Sequence, residues 1–282
     1  MEQKTENAEV QENITDKEQE ETAENAETLK EESTNRKHLQ HQKKEVVTED
    51  KTVEASKNTE SKSWSIAIDE AHFPDKVFRE QIIAEFDKDG DSVLSVDEIS
   101  KAQFLNLHDM KTISSLEGIQ YLTNLQSLDV STTSVSDLSP VKNSSLKRLD
   151  CRSSKVRSVD LTRYPNLEAF VCDNTSINSL DVSKNEKLNT LFADSTSISN
   201  LDVTNNPNLE QLSCSNTGLM ELDVTHNPQL VTLDIGDTKV KTLDISKNPN
   251  LKQLSCYMTN IAELDVTKTQ KLTRLFCHDT TI

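Results

Sequence analysis

A leucine recurs at intervals of 21 residues through the carboxyl-terminal part of the chain. Its members are Leu125, Leu146, Leu167, Leu188, Leu209, Leu230, Leu251 and Leu272. Aligned on this leucine, the units share the template L-x-x-L-x-C-x-x-T-x-I-x-x-L-D-V-S-x-N-P-x. A unit this short cannot enclose a core of its own, so it buries its apolar side chains against the units before and after it. The sequence therefore predicts a stack of similar coils with one continuous interior.

The template resembles that of leucine-rich repeat proteins, whose units of roughly 20 to 29 residues open with L-x-x-L-x-L-x-x-N-x-L. The resemblance covers residues 104–282. It implies an α/β-type right-handed superhelix, with short parallel β-strands on a concave face and an irregular or 3-10 convex side. Each strand is expected in L-x-x-L-x-C, with both leucines and the cysteine pointing inward. Because the last unit stops at Ile282, halfway through the template, we expect a C-terminally truncated array from a longer protein.

Residues 1–62 differ in composition from the rest of the chain. They contain 17 acidic and 10 basic side chains, no aromatic residue and only scattered aliphatic ones. Such a segment cannot bury enough apolar surface to offset the entropy lost on ordering. We therefore predict a disordered acidic leader or spacer. A coiled coil, the alternative, would require a sustained heptad pattern of apolar residues, which is missing.

The charge of the chain disfavours two classes of partner. The formal net charge is −17 and the pI is near 4.8, and no stripe of Lys and Arg offsets this charge. Nucleic acid and anionic lipid are therefore not expected as ligands. No run of 18 apolar residues is present, and the first ten residues, MEQKTENAEV, show no signal-peptide-like hydrophobic stretch. We expect a monomer that does not insert into a membrane.

The five cysteines all fall in one slot of the template, at Cys151, Cys172, Cys214, Cys256 and Cys277. Other units hold Val, Ala or Ile there, so we interpret the slot as a small apolar core position. Neither a disulfide framework nor a zinc site is indicated, since no CxxC or paired His accompanies the cysteines. A ladder of Thr after this slot, and a ladder of Asn in the following turn, are also predicted to be structural.

An aspartate recurs in the LDV segment of the template, at Asp160, Asp181, Asp202, Asp223, Asp244 and Asp265. Carboxylates about 5 Å apart repel by about 3 kcal/mol at an effective dielectric constant of 20, so the column must be solvated or partnered. Hydrogen bonding to nearby Ser, Thr and backbone amides is one interpretation. A stripe that binds cations is the other.

Residues 63–103 are predicted to form a small helical cap ahead of the repeats. The segment HFPDKVFREQIIAEF has the pattern of an amphipathic helix, with Pro74 in its first turn. Its apolar stripe consists of Val77, Phe78, Ile82 and Phe86. Packed over the first unit, this stripe would cover the end of the repeat core.

The helix is followed by DKDGDSVLSVDE, which resembles the twelve-residue calcium loop of EF-hand proteins. The resemblance assigns Ca²⁺ to the side chains of Asp87, Asp89, Asp91, Ser95 and Glu98 and to the carbonyl of Val93. Ser92 replaces the usual glycine at position 6, which costs on the order of 1 kcal/mol. We expect a weak structural site, with an affinity of roughly 10⁻⁴ M. A solvated acidic connector between helices is the alternative.

The segment TISSLEGIQYLTNLQSLDVS resembles the repeat of internalin-like proteins of Gram-positive bacteria. A helical cap followed by an acidic D-x-D-x-D loop is similar to the amino-terminal caps of other bacterial surface leucine-rich repeat proteins. The resemblance implies a secreted or cell-wall-attached module of the adhesin type.

Two groups of residues are predicted to be exposed on the concave face. One is Val171 with Phe192; the other comprises Tyr257, Met258, Phe276 and His278. Exposed aromatic clusters on a rigid surface are common anchors for protein partners. For Val171 and Phe192, packing against neighbours on the sheet is an equal alternative.

These observations predict a non-catalytic recognition module of a secreted or cell-surface bacterial protein. Its ligand would be a protein or glycan, from a host or from a cell surface, bound on the concave face. An intracellular leucine-rich repeat scaffold for protein interactions is the alternative. No catalytic residue is predicted, because His108, His226 and His278 fall in different slots and no Ser/His/Asp set follows from the spacing.

Overall fold

The computed structural model describes residues 64–281 as a small cap followed by a long parallel sheet. The predicted acidic leader over residues 1–62 lies outside the described residues. Within the described part, none of the helices combines the length and apolarity needed to cross a bilayer.

The cap contains two short strands and two helices. In chain order they are β1 (Ile66–Ala67), α1 (Lys76–Phe86), β2 (Val93–Leu94) and α2 (Val96–Lys101). The two strands pair antiparallel, with Ile66 opposite Leu94. Helix α1 buries Phe78, Ile82 and Phe86, so the predicted apolar stripe is confirmed and joins the cap to the main core.

The start of α1 differs from the prediction. Asp75 is the N-cap residue, and its Oδ1 accepts hydrogen bonds from the N–H groups of Val77 and Phe78, both at 3.1 Å. Pro74 therefore lies outside the helix, and its predicted place in the first turn is wrong. The helix begins where an aspartate can satisfy the N–H groups that the first turn leaves free.

The repeats form one sheet of nine parallel strands in sequential order. The strands are β3 (Phe104–Asn106), β4 (Ser127–Asp129), β5 (Arg148–Asp150), β6 (Ala169–Val171), β7 (Thr190–Phe192), β8 (Gln211–Ser213), β9 (Thr232–Asp234), β10 (Gln253–Ser255) and β11 (Arg274–Phe276). From β4 onward the register pairs equivalent positions of the template, as in Leu149 opposite Phe170. The predicted solenoid of short parallel strands is confirmed.

The interior is built from the slots that the template predicts. The leucines Leu146, Leu167 and Leu188 are fully buried as consecutive rungs. All five cysteines are free; four are buried and Cys277 is half-buried. Burial raises the pKa of the Cys256 thiol to about 11. The slot is therefore the apolar core position that the sequence indicates.

The two polar ladders hold the coils in different ways. The Thr196 hydroxyl donates to the carbonyl of Ala193, at 2.8 Å, within one coil. The Asn206 Nδ2 donates to the carbonyls of Val182 and Asn185 of the preceding coil, at 3.1 and 2.9 Å. Threonines therefore close each turn, asparagines join successive turns, and both ladders are structural as predicted.

Candidate functional site

One face of the nine-stranded sheet carries three columns of side chains, here named the sheet face. Each strand contributes its first residue, its third residue and the residue two positions after its end. These alternate positions share one face, because the middle residue of the strand points into the interior. This is the face that the sequence analysis predicts to be concave.

Val171 does not fit its predicted place on this face. Its side chain is only 1% exposed, so the expectation of an exposed anchor is wrong. Val171 pairs in register with Asp150 on one side and Phe192 on the other. A short side chain between two such neighbours is covered by them.

The other predicted residues are at least partly accessible. Phe192 is half-buried on β7, four strands away from Phe276, which is 44% exposed on β11. Met258 is 52% exposed. The rings of Tyr257 and His278 stack, with centroids 5.1 Å apart and planes within 6°. The structure thus brings Tyr257 and His278 together at the β11 end and leaves Phe192 in the middle of the sheet face.

Gly236 determines how Tyr257 lies on the sheet face. A Cβ atom at this glycine would lie 2.2 Å from Cε1 of Tyr257. The ring therefore rests directly on the backbone of the preceding coil. Gly236 was not identified from the sequence, although a glycine beside a strand often marks such a close approach.

An ion cluster centred on the buried Asp150 of β5 was not identified from the sequence. Asp150 is fully buried, and the Nε of Arg152 lies 3.0 and 3.1 Å from its two carboxylate oxygens. The Nη2 of Arg148 lies 3.4 Å from Oδ2 of the same carboxylate. Arg148 and Asp150 are the first and third residues of β5, and Arg152 follows two positions later. This alternate spacing, which puts the three side chains on one face, is the signal that could have found them. Both guanidinium groups are directed at Asp150.

Three more aspartates on the sheet face have no basic partner. In the part of the chain that the structure describes, no salt bridge involves Asp173, Asp194 or Asp234. Asp173 accepts the N–H of Asp194 at 2.9 Å, and Asp194 accepts the N–H of Ser215 at 2.7 Å. Burial raises the pKa of Asp173, and the charge of Asp194 adds to this effect. Burial also raises the pKa of Asp234.

A chain of hydrogen bonds near β4 joins a histidine, a serine and an aspartate. His108 Nδ1 lies 2.8 Å from the hydroxyl of Ser131, which donates to Oδ1 of Asp129 at 2.5 Å. Here the serine lies between the other two residues. In a catalytic triad the histidine lies between the serine and the aspartate. The hydrogen bonds among His108, Ser131 and Asp129 therefore do not have the order of a triad.

The cap loop brings its three aspartates together. Carboxylate oxygens of Asp87, Asp89 and Asp91 lie within 4.8 Å of one another. Asp87 accepts the N–H of Gly90 at 2.8 Å and that of Ser92 at 3.0 Å. Ser92 adopts a left-handed backbone with φ of 63°. The serine thus takes the conformation for which glycine is preferred at position 6.

Glu98, the last residue of the loop, is held by hydrogen bonds and is nearly buried. Its Oε1 accepts the N–H of Lys88 at 2.7 Å, and its Oε2 accepts the N–H and hydroxyl of Ser95 at 2.9 and 2.8 Å. Burial raises the pKa of Glu98, but the hydrogen bonds from Ser95 and Lys88 outweigh it and lower the pKa overall. The carboxylate therefore lies across the loop, close to the backbone of its second residue.

The aspartate column of the LDV segments is hydrogen-bonded in each coil. Asp202 accepts the hydroxyl of Thr204 at 2.6 Å and its N–H at 2.9 Å, and these bonds lower its pKa. The pKa of each other member of the column is also lowered, chiefly by hydrogen bonds from the residue two positions later. These contacts are those of the hydrogen-bonding interpretation, and Asp160 also pairs with Arg163, whose Nε lies 3.0 Å from its Oδ2.

Comparison with solved structures identifies the fold. Internalin C2 of Listeria monocytogenes is 22% identical over 77% of this chain and 97% of that one, with a TM-score of 0.67. An internalin of the same species, InlF, is 21% identical over 77% of this chain and 72% of that one, with a TM-score of 0.65. The chain is a leucine-rich repeat solenoid.

A third likeness is to the functional domain of InlJ from Listeria monocytogenes, with 23% identity over 77% of this chain and a TM-score of 0.43. The chain spans 62% of the length of that structure. No protein-family model matches the sequence, and no curated protein matches it.

Proposed function

We propose that this protein is a non-catalytic recognition module that binds a protein partner through the sheet face, as part of a secreted or cell-surface protein. One observation carries the proposal: three partly exposed aromatic side chains, Phe192, Tyr257 and Phe276, lie on the sheet face of nine parallel strands. Aromatic residues with low conformational freedom supply much of the binding energy of protein interfaces. The resemblance of the repeats to internalin-like proteins supports the surface location.

The proposal is tested by using the full chain as bait for proteins extracted from cell surfaces and for proteins from a cell lysate. We expect Phe192→Glu and Phe276→Glu to abolish capture of a partner, because each places a charge at an apolar contact. Met220→Glu is the matched control, since Met220 is 64% exposed but lies outside the three columns. Circular dichroism and melting curves check folding. Capture that survives both substitutions, or is lost equally with Met220→Glu, would refute binding through the sheet face.

We further propose that the cap loop binds Ca²⁺ as a structural clamp. Asp87, Asp89 and Asp91 would supply carboxylate oxygens, with the oxygens of Ser95 and Glu98 and the carbonyl of Val93 completing the set. Two observations support the fit: the aspartate oxygens converge within 4.8 Å, and Ser92 has a left-handed backbone. The bound ion would neutralise three carboxylates whose mutual repulsion otherwise destabilises the loop.

For the calcium proposal, Ca²⁺ should raise the melting temperature of the full chain, and Asp87→Ala with Glu98→Ala should remove the increment. Because Glu98 also caps α2, Asp89→Asn with Asp91→Asn provides a second test that leaves that cap intact. The control is Glu85→Gln with Asp97→Asn, two nearby carboxylates outside the predicted set. No response in the parent protein, or equal loss in the control, would show that the loop is only a connector.

An intracellular scaffold is the second candidate, and one observation favours it. All five cysteines are free, and free thiols are more common where the compartment is reducing. Fractionation of cells that express the protein from its own gene decides between the two locations. Recovery with the cytosolic fraction alone would establish the scaffold and exclude the surface module.

A further inference from the structure

We infer that the partner of the sheet face is a polypeptide segment rich in Lys and Arg, which binds over strands β6 to β10. This inference rests on the proposed function and names the chemistry of its partner. It depends on three features of those strands: the sign of the charges, the partial burial of the carboxylates, and the aromatic rings beside them. The name central surface is used here for Asp173, Phe192, Asp194, Asp234 and Tyr257.

The charge pattern of these strands has only one sign. The outward positions of the five strands are Ala169, Val171, Asp173, Thr190, Phe192, Asp194, Gln211, Ser213, Ser215, Thr232, Asp234, Gly236, Gln253, Ser255 and Tyr257. Three of these are aspartates and none is Lys, Arg or His. A low-dielectric surface with charges of one sign attracts partners of the opposite sign and disfavours others.

The carboxylates of the central surface are short of counter-charge. The basic residue on the strand next to Asp173 is Arg152, and its guanidinium is directed at Asp150. Asp173 and Asp194 follow β6 and β7, which pair with each other, and they share the hydrogen bond from Asp194 N–H to Asp173 Oδ1. Partial burial raises the pKa of Asp173 and of Asp234, because the charged carboxylate loses water. The charge of Arg152 opposes this shift at Asp173 but does not outweigh it. An ammonium or guanidinium group from a partner would restore that interaction.

The aromatic residues provide a place for the rest of a basic side chain. Phe192 precedes Asp194 by two positions and points to the same face. Tyr257 extends over Gly236, which is itself two positions beyond Asp234. Lys and Arg bury their aliphatic stems on apolar surfaces and keep the charged group with polar partners, and aromatic faces attract such cations. Phe192 beside Asp194 therefore matches both parts of a Lys or Arg side chain. The Tyr257 ring lies between Gly236 and His278, so it contributes apolar surface near Asp234 rather than a free face.

A neutral glycan is the competing ligand, because hydroxyl and carboxylate groups beside aromatic rings also bind sugars. A neutral sugar, however, gains nothing from the absence of cations on five successive strands. It also leaves the partly buried carboxylates without a counter-charge. The charge pattern therefore favours the basic polypeptide.

The test is a calorimetric titration of the full chain with octalysine. We expect octalysine to bind the wild-type protein. The triple substitution Asp173→Asn, Asp194→Asn and Asp234→Asn should weaken this binding by about tenfold or more. The charge-matched control is Asp202→Asn, Asp223→Asn and Asp244→Asn, which changes the net charge equally outside the sheet face and should weaken binding by about twofold or less. In both variants the remaining amide oxygen can still accept hydrogen bonds from the backbone.

Several outcomes would overturn the inference. One is equal weakening by the two triple variants, which would show attraction to the net charge alone; another is no binding of octalysine. Binding of a neutral oligosaccharide that depends on Phe192 and is unaffected by the central triple substitution would identify a glycan ligand. A further outcome is capture of a protein that is lost with Phe192→Glu and unchanged by the central triple substitution. In that case the basic-partner inference fails while recognition through the sheet face stands.

Discussion

One residue in each coil has a left-handed backbone, although none of these residues is a glycine. Their φ angles lie between 52° and 63°, and they are Asp109, Thr132, Ser153, Asn174, Ser195, Asn216, Asp237, Met258 and Asp279. In every coil before the last, the N–H of this residue donates to the next coil, as from Thr132 to the carbonyl of Arg152 at 2.9 Å. The left-handed turn lets the inter-strand hydrogen bonds continue past the strand while the chain turns away. Asn and Asp tolerate this conformation, whereas a β-branched residue is poorly suited to it.

Thr132→Gly should therefore stabilise the protein. Glycine removes the steric cost of a β-branched residue at φ of 57°, and part of that gain is offset by the greater entropy of the unfolded chain, so a net gain of about 0.5 to 1 kcal/mol is expected. Asn174→Gly, at φ of 55°, should give no gain, because asparagine already tolerates the conformation. Urea denaturation of both variants measures the difference. A loss of stability in Thr132→Gly would show that its side-chain contacts outweigh the strain.

At the scale of the coil, the asparagine ladder is the main buried side-chain connection between successive turns. Each Nδ2 donates to two carbonyls of the preceding coil, in a position where the side chain is fully buried at Asn185, Asn206, Asn227 and Asn248. The Oδ1 atoms accept no hydrogen bond from a described protein group. Each of these carbonyls also accepts a backbone N–H, as the carbonyl of Asn185 accepts that of Leu188 at 2.9 Å. The asparagine amides therefore add a second hydrogen bond to buried carbonyls and join each coil to the one before it.

Asn206→Ala is expected to destabilise the protein by about 1 to 3 kcal/mol, since it removes two buried hydrogen bonds. The carbonyls of Val182 and Asn185 keep one backbone N–H donor each. Asn208→Ala is the matched control in the same coil. The Asn208 Nδ2 also donates across to the preceding coil, to the carbonyl of Glu186 at 2.9 Å, but it is exposed. Loss of this hydrogen bond should lower the free energy of unfolding by less than about 1 kcal/mol, because water can bond to the exposed carbonyl instead. Equal losses in urea denaturation would mean that burial does not decide the strength of these ladders.

The elements differ in how far they can be predicted from sequence. The period and the inward slots follow from the template, because each coil repeats the same burial and Leu167 or Cys214 has an equivalent in every turn. The exposure of Val171 could not be predicted, because it depends on the size of side chains on the neighbouring strands. The left-handed slot was also missed, since its varied residues, including Met258, give no glycine signal. The network around Asp150 depends on side-chain orientation, which the template does not specify.

At the scale of the molecule, the cap must be joined to the first coil, because a coil is stabilised chiefly by its neighbours. Asp75 makes this connection while it caps α1. Its Oδ2 accepts the N–H of Ser114 at 2.9 Å and that of Ser115 at 3.2 Å, about 40 residues along the chain. Nearby, Gly118 has φ of 106°, and a Cβ there would lie 2.3 Å from the Phe73 ring. The joint thus combines a carboxylate with a close approach that only glycine permits.

Asp75→Ala should destabilise the whole chain by about 2 kcal/mol at pH 7, since it removes a helix cap and the hydrogen bonds to the first coil. Burial raises the pKa of Asp75, but the hydrogen bonds from Ser114, Phe78 and Ser115 outweigh it and lower the pKa. A lowered pKa means that the stabilisation is present above the unfolded value of about 3.9 and is lost as the pH falls through the folded value. The difference between wild type and variant should therefore shrink below about pH 4.

The control for this prediction is Asp202→Ala, which removes an aspartate that bonds only within its own turn, to Thr204. It should destabilise the protein less at pH 7, because no joint between cap and coil is lost. Urea denaturation at pH 7 and at about pH 3 measures both variants. If the stability difference of Asp75→Ala is the same at both pH values, its carboxylate charge does not contribute to the joint. If the two variants are equally stable at pH 7, the contacts to Ser114 and Ser115 do not hold the cap, and the apolar stripe of α1 must do so alone.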